Sequence, residues 1–162
     1  MKKLFFIILV LAVVYSCLSI YFVDKHVFFC PIRYTCYPQI RSDSWGSGVF
    51  AARRSGNRMH NGVDLQAEIG TPVLAARSGR VIAATSNKGM GKYIILKHSG
   101  GITTIYGHLS EIYVQKGDFV RQEQTIGAVG KTGNANQRNM LAHLHFEVRK
   151  DGVPVDPMQY LE

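Results

Sequence analysis

The stretch His143-Leu144-His145-Phe146-Glu147-Val148 alternates polar and apolar side chains without interruption. Alternate residues of a β-strand share a face, so Leu144, Phe146 and Val148 are predicted to enter a core while the histidines and Glu147 line the other face. Two imidazoles two residues apart on a rigid strand suit a metal site; the alternative is a polar outer face that happens to contain histidines. We therefore predict a β-strand with one chemically active side.

Short runs of strand-forming residues recur from Trp45 to the carboxyl end of the sequence and alternate with glycine-containing turns. They lie at residues 72–75, 80–83, 93–97 and 102–106. The pair Gly100-Gly101 separates the last two runs and is a hairpin signal. Because no stretch has a convincing helical period, the sequence predicts an all-β fold, a compact antiparallel β-sandwich or barrel-like domain over residues 45–162.

A second polar group lies at His60-Asn61-Gly62-Val63-Asp64. A histidine and an aspartate four residues apart converge on one ion when the chain turns tightly, which Gly62 permits. Alone the spacing is weak, since such pairs are common in surface loops. With the strand at 143–148 it supplies the two histidines and one carboxylate of a catalytic zinc site. His108 ends another alternating run, where a hydrogen-bonded loop histidine is the alternative.

Composition and charge exclude several classes of protein. The 162 residues are 46% hydrophobic, which is enough for a packed core and excludes wholesale disorder. The 16 glycines argue against a long helical bundle, and the glycine-rich turn at residues 127–132 lacks the first glycine of a phosphate-binding loop. The net charge of +8 would hold an exported domain near anionic wall polymers or lipid headgroups, and that location argues against nucleic acid as a partner.

The amino-terminal segment predicts export. Two lysines precede twenty uncharged residues at 4–23, about the length that a membrane-spanning helix needs. We predict a signal anchor, a transmembrane helix over residues 1–23, followed by a juxtamembrane linker over 24–44. The lysines place the amino end in the cytoplasm and the domain on the periplasmic or extracytoplasmic side of the inner membrane. The alternatives are cleavage after Ser16 and lipidation of Cys17. Each of them also leaves the domain outside the cytoplasm.

The cysteines fit an oxidising compartment. Cys30 and Cys36 are separated by five residues, and we predict that they form a disulfide. The alternative is two unrelated thiols.

Several ordered segments resemble the LytM/lysostaphin family of zinc endopeptidases, which cut peptidoglycan cross-links. The resemblance runs from about residue 45 to 160 and rests on segments 58–64, 70–73, 106–110 and 143–147. The turns at 114–120 and 126–130 match repeated glycine turns of that family. One departure is the approach to His143, where residues 134–142 form a longer loop that bears on substrate choice.

The resemblance implies a metallopeptidase with one zinc ion held by His60, Asp64 and His145. It implies that His143 and His108 flank the water that attacks the substrate, and it leaves open which of them is the general base. Arg58 and Tyr106 are candidate substrate contacts, although a solvated loop explains Arg58 equally well. The expected substrates are cross-links or stem peptides of peptidoglycan. The main alternative is a catalytically inactive wall-binding or amidase-activating module on the same fold.

Overall fold

The computed structural model describes residues 2–21, 28–33 and 37–161. It contains one α-helix, α1 (Lys2–Tyr21), and short 3-10 turns at Ser55–Asn57, Gly133–Ala135 and Pro157–Gln159. The strands in chain order are β1 (Ser42–Asp43), β2 (Gly46–Ser47), β3 (Arg53–Arg54), β4 (Arg58–Met59), β5 (Val63–Gln66), β6 (Pro72–Leu74), β7 (Gly79–Asn87), β8 (Gly91–Lys97), β9 (Ile102–Leu109), β10 (Glu111–Ile112), β11 (Phe119–Val120), β12 (Thr125–Ala128), β13 (His143–Lys150) and β14 (Val153–Val155).

The largest sheet has seven strands in the order β11-β7-β8-β9-β13-β14, with β5 also paired to β13. Each of its strand pairs is antiparallel. Strands β5 and β14 share one edge of β13, β5 opposite residues 143–146 and β14 opposite residues 148–150, while β9 lies along the other edge. The strand predicted from its alternating side chains is therefore central to the sheet.

A three-stranded sheet, β10-β12-β6, and the hairpins β1–β2 and β3–β4 complete the described β-structure. The core confirms the alternation in β13, because Leu144, Phe146 and Val148 are fully buried in it. The opposite face of the strand is also covered, so that both histidines and Glu147 are buried. The prediction of a mostly antiparallel β-fold is confirmed.

The packed part of the molecule begins before Trp45, within the segment predicted as a linker. Phe28 and Ile32 are each 1% exposed and belong to the core. The Phe28 ring meets Tyr160 edge-on at 5.7 Å between centroids, and its backbone forms an isolated parallel bridge with Leu161. This irregular segment has no hydrophobic period, which is why its sequence pattern did not reveal that it packs.

Two further predictions for the amino-terminal part lack support. Residues 2–21 are helical as expected, but among the described residues no helix combines the length and apolar character needed to cross a membrane. Cys30 carries a free, half-buried thiol rather than the predicted disulfide, and Cys36 lies outside the described residues.

Candidate metal centre

Two strands and one turn bring together His60, Asp64 and His145. His60 directly follows β4, Asp64 lies in β5, and the antiparallel register places His145 of β13 opposite Asp64. Their Nε2, Oδ1 and Nδ1 atoms form a triangle with sides of 3.0 Å (His60–Asp64), 2.9 Å (Asp64–His145) and 3.0 Å (His60–His145). Each of the three residues is at most 7% exposed. The three predicted ligands therefore share one buried point.

Gly62 allows the turn between His60 and Asp64 to approach β13. A Cβ atom at this position would collide with the carbonyl oxygen of Phe146 and press on the Glu147 side chain. The requirement for glycine here is close backbone contact rather than a special φ angle. The sequence predicted a tight turn at Gly62, whereas the structure requires glycine there for the close contact with β13.

The hydrogen bonds of the two imidazoles fix which nitrogen faces the triangle. His60 Nδ1 lies 2.8 Å from the carbonyl oxygen of Val49, and His145 Nε2 lies 3.0 Å from Glu147 Oε1. Because neither partner has a hydrogen to give, each ring must donate there. With one proton on each ring, the lone pairs of His60 Nε2 and His145 Nδ1 point towards Asp64 Oδ1. Three acceptors in contact repel each other unless a cation lies among them.

A zinc ion fits this donor set. Two neutral imidazoles and one carboxylate are the protein ligands of many catalytic zinc sites. Tetrahedral bonds of about 2.0–2.2 Å separate such donor atoms by about 3.3–3.6 Å. The three sides of the triangle, 2.9 to 3.0 Å, are shorter than that separation by about 0.3–0.7 Å. Small side-chain rotations are enough to admit the ion.

Charge in the site also favours a cation. Burial alone would lower the pKa of His145, but hydrogen bonds with Asp64 and Glu147 raise it to about 9. Burial would raise the pKa of Asp64, yet the hydrogen bonds with His145 and His60 hold it well below its usual range. The carboxylates thus keep positive charge on His145, and a metal ion satisfies the same demand.

His143 and His108 lie beside the triangle. His143 Nε2 is 3.9 Å from Asp64 Oδ1, and the rings of His108 and His143 are 5.0 Å apart between centroids. Each ring uses Nδ1 on a backbone carbonyl, that of Leu141 at 2.7 Å for His143 and that of Thr132 at 3.0 Å for His108. Donation from Nδ1 leaves Nε2 of each ring as the atom that accepts a proton.

Both flanking histidines are held neutral. Burial, assisted by His145 and His143, lowers the pKa of His108 to about 3. Burial also lowers the pKa of His143, against the attraction of Asp64. Neutral imidazoles at pH 7 have a free nitrogen to accept a proton, but a pKa as low as that of His108 makes its ring the weaker base of the two.

The backbone at His108 explains why alternation fails along β9. His108 has a φ of 64°, a left-handed conformation that is sparsely populated by residues other than glycine and clusters at functional sites. This conformation sends the His108 ring to the site, whereas Tyr106, two residues earlier, points into the core. Tyr106 is fully buried, and its hydroxyl is bonded to Ala76 N at 2.9 Å. This buried position does not support the predicted contact of Tyr106 with substrate.

Glu147 and Arg58 are the remaining side chains that the sequence analysis named. Glu147 is 2% exposed and bonds both His145 and Arg149, so it orients a candidate ligand and is not an ordinary exposed carboxylate. Arg58 is exposed, with Nε donating to the Ser55 carbonyl oxygen at 3.2 Å. Its contact with substrate stays a prediction.

Two arginines that sequence reasoning did not connect with the site lie on the second oxygen of Asp64. Arg41 Nη2 and Arg54 Nη2 lie 3.0 and 3.1 Å from Asp64 Oδ2. Arg41 comes from the segment predicted as a linker, and Arg54 lies in β3. Only a three-dimensional contact with Asp64 identifies them.

Comparison with known families gives a match that covers most of the packed region. The sequence model of peptidase family M23 matches residues 58–157. This span contains the four histidines and one aspartate of the site. This match confirms the resemblance found in the sequence.

Individual relatives agree with the family match. The chain is 37% identical over 127 residues to the lipoprotein NlpD/LppB homolog of Pseudomonas aeruginosa, covering 76% of this chain and 41% of the relative. It is 39% identical over 101 residues to the DD-carboxypeptidase/endopeptidase Mpg of Neisseria meningitidis serogroup B, covering 62% of this chain and 22% of that protein. The chain therefore spans well under half the length of these curated relatives.

Solved structures show the same fold. A zinc-containing peptidase from Vibrio cholerae superposes with a TM-score of 0.70 and 32% sequence identity, over 83% of this chain and 40% of that chain.

Proposed function

This chain belongs to peptidase family M23, and from that premise we propose that it is a zinc-dependent endopeptidase that hydrolyses peptide cross-links or stem peptides of peptidoglycan. One observation carries the proposal: His60 Nε2, Asp64 Oδ1 and His145 Nδ1 meet at one buried point, 2.9–3.0 Å from one another, with His143 and His108 beside them. The relative named as a DD-carboxypeptidase/endopeptidase supports the reaction class.

In this proposal His60, Asp64 and His145 hold one zinc ion. A zinc ion at such a site supplies a bound water whose pKa falls to about 7 and polarises the carbonyl to be attacked. Val49 and Glu147 keep the two imidazoles in the tautomers that ligation requires, through the hydrogen bonds of their oxygen atoms.

His143 and His108 do the proton transfers. Each has its Nδ1–H bonded to a backbone carbonyl, so each offers Nε2 to take a proton from the attacking water or to return it to the leaving amine. His143 is the better candidate for the base, because its Nε2 lies 3.9 Å from the ligating oxygen of Asp64.

Recognition of the substrate is assigned to the open side of the site. The exposed Arg58 offers a cation to carboxylates of a stem peptide. Residues 134–142 lead directly into His143 and are placed to select the bond that is cut. The excess of basic residues favours attraction to anionic wall polymers.

We also infer that the domain works on the outer side of the cytoplasmic membrane, where peptidoglycan lies. The support is the pair of lysines followed by twenty uncharged residues at 4–23. A reporter enzyme that is active only after export, fused after Glu162, tests this inference. An inactive reporter with intact fusion protein in the cytoplasm contradicts it.

A wall-binding or amidase-activating module without its own activity is the second candidate. It is favoured by the name of one relative, which describes a lipoprotein and no enzyme. It predicts that the triangle of donor atoms can be destroyed without loss of function.

Digestion of purified sacculi by the full-length protein separates the two candidates. We expect zinc-dependent release of muropeptides, lost with a chelator and restored by zinc, and the masses of the fragments identify the bond. Asp64→Asn is the matched control. Intact sacculi from several wall types after incubation with zinc-loaded protein contradict the enzyme and favour the binding module.

A further inference from the structure

Arg41 lies against the metal centre from outside the region matched by the family model. It is 2% exposed and comes from the irregular segment before β1. A guanidinium buried to this extent loses most of its hydration, and this loss must be offset by well-placed partners. The partners of Arg41 are two carboxylates.

The first carboxylate is Asp64. Arg41 donates from Nη2 at 3.0 Å and more weakly from Nε at 3.4 Å, and both bonds go to Oδ2. The other oxygen, Oδ1, is the one that faces His60 and His145. The two oxygens of Asp64 are thus divided between the arginine and the metal centre.

The second carboxylate is Asp43. Its Oδ1 accepts from Arg41 Nη1, and its Oδ2 accepts from the backbone N–H of Leu141 at 2.9 Å. The carbonyl oxygen of Leu141 in turn accepts from His143 Nδ1 at 2.7 Å. An unbroken chain of hydrogen bonds therefore runs from Asp64 through Arg41 and Asp43 to His143.

Arg54 reaches the same oxygen of Asp64 but is built differently. Its side chain is 21% exposed, compared with 3% for that of Arg41, and its other bond goes to the carbonyl oxygen of Ser47. It does not contact Asp43 within hydrogen-bond distance among the described contacts. Arg54 therefore provides a natural control for the charge on Asp64 without the connection to His143.

We propose that Arg41 is a positioning residue that reserves Asp64 Oδ2, so that Asp64 ligates through Oδ1 alone, and that sets the position of His143 through Asp43 and Leu141. This inference rests on the proposed function. Its chemical basis is the planar fork of the guanidinium, which joins two carboxylates in one fixed geometry; the point charge of a lysine cannot do so.

Metal affinity and coordination of the full-length protein test the proposal without any assay of activity. Zinc affinity is measured by competition with a chromogenic chelator, and Co²⁺ substituted for zinc reports coordination through its visible absorption. We expect Arg41→Met to weaken zinc binding by about 10–100-fold. We expect Arg41→Lys to weaken it less. In both variants only the more exposed Arg54 still bonds Asp64 Oδ2, so we expect the Co²⁺ absorption to fall as Asp64 becomes bidentate. Arg54→Met should change the affinity by less than about fivefold and leave the spectrum unaltered.

Each outcome has a distinct meaning. Arg41 variants that bind zinc within about twofold of wild type, with an unchanged Co²⁺ spectrum, overturn the proposal. If Arg41→Met does not fold, Arg41→Lys decides on the same two measurements, with circular dichroism to establish its fold. Wild-type protein that binds no zinc contradicts the proposed function itself, which is a different failure.

Discussion

The molecule buries histidines in two regions that look alike by exposure and differ in their hydrogen bonds. His98, at the end of β8, has Nδ1 2.9 Å from the carbonyl oxygen of Ser78 and Nε2 2.8 Å from Thr104 Oγ1. Thr104 Oγ1 is also bonded to the Tyr106 hydroxyl at 3.0 Å, so both ring nitrogens of His98 and the hydroxyl that one of them meets have protein partners. At the metal centre, His60 and His145 instead direct lone pairs at a carboxylate oxygen.

The difference shows that burial alone does not identify a functional histidine. The His98 region is complete with protein atoms alone, whereas the metal centre is complete only when a proton or a metal ion lies among its acceptors.

Replacement of Asp64 should have the largest effect. Asp64→Ala removes the carboxylate from the triangle, and the lost charge stabilisation of several kcal/mol corresponds to at least about a 10³-fold lower kcat/KM. Zinc content by elemental analysis should fall with it. Retention of both zinc and wall cleavage in a folded Asp64→Ala protein would show that the metal lies elsewhere.

Replacement of His143 should separate chemistry from metal binding. His143→Ala removes a proton acceptor but no proposed ligand, and we expect kcat to fall by about 10²–10⁴-fold while zinc content stays at the wild-type level. Initial rates of muropeptide release provide the measurement. The same change at His108 shows which histidine contributes more. Loss of zinc from His143→Ala would mean that this residue is a ligand.

Replacement of His98 should affect only stability. His98→Leu removes the ring that bonds the Ser78 carbonyl and the Thr104 hydroxyl, and Thr104 keeps only its bond with the Tyr106 hydroxyl. We expect a cost of about 1–3 kcal/mol in the free energy of unfolding. Urea unfolding measures this loss, and the zinc stoichiometry of the folded variant serves as the control. A His98→Leu protein that unfolds like wild type but loses zinc would reverse the roles of the two regions.

The smallest effect concerns the pH dependence of stability in the metal-free protein. Burial lowers the pKa of His108 to about 3 from an ordinary 6.5, so between these values the unfolded chain binds a proton that the folded protein does not. Stability contributed by this site therefore falls as the pH decreases below about 6.5.

His108→Gln should remove that part of the slope. Between about pH 6.5 and pH 5 the change is at most about 2 kcal/mol, which shifts of the urea midpoint resolve. The raised pKa of His145 makes stability fall as the pH rises, but only above about pH 6.5. It therefore does not change the pH slope between about pH 5 and pH 6.5. Equal pH slopes for His108→Gln and wild type would contradict the low pKa of His108.

Sequence reasoning succeeded where a short regular pattern carried the information. The alternation in β13 correctly placed Leu144 and Phe146 in the core and His145 on the other face. The glycine at position 62 and its flanking ligands were also recognisable, because close approach of two backbones leaves few other residues to choose from.

The same reasoning failed where geometry departs from regularity. A left-handed residue at position 108 interrupts the alternation of β9, so His108 reaches the site while Tyr106, two residues earlier, is buried in the core. Arg41 and Phe28 lie in a segment without any period, so neither a salt bridge to Asp64 nor a place in the core could be inferred from neighbours in sequence.

The backbone bridge between Phe28 and Leu161 has a consequence for how this domain can be combined with others. The chain therefore enters and leaves the packed unit at neighbouring points. Such a unit can be inserted into a surface loop of an unrelated protein with little disturbance of either protein. It can also be circularly permuted, by joining its two ends and opening new ones elsewhere.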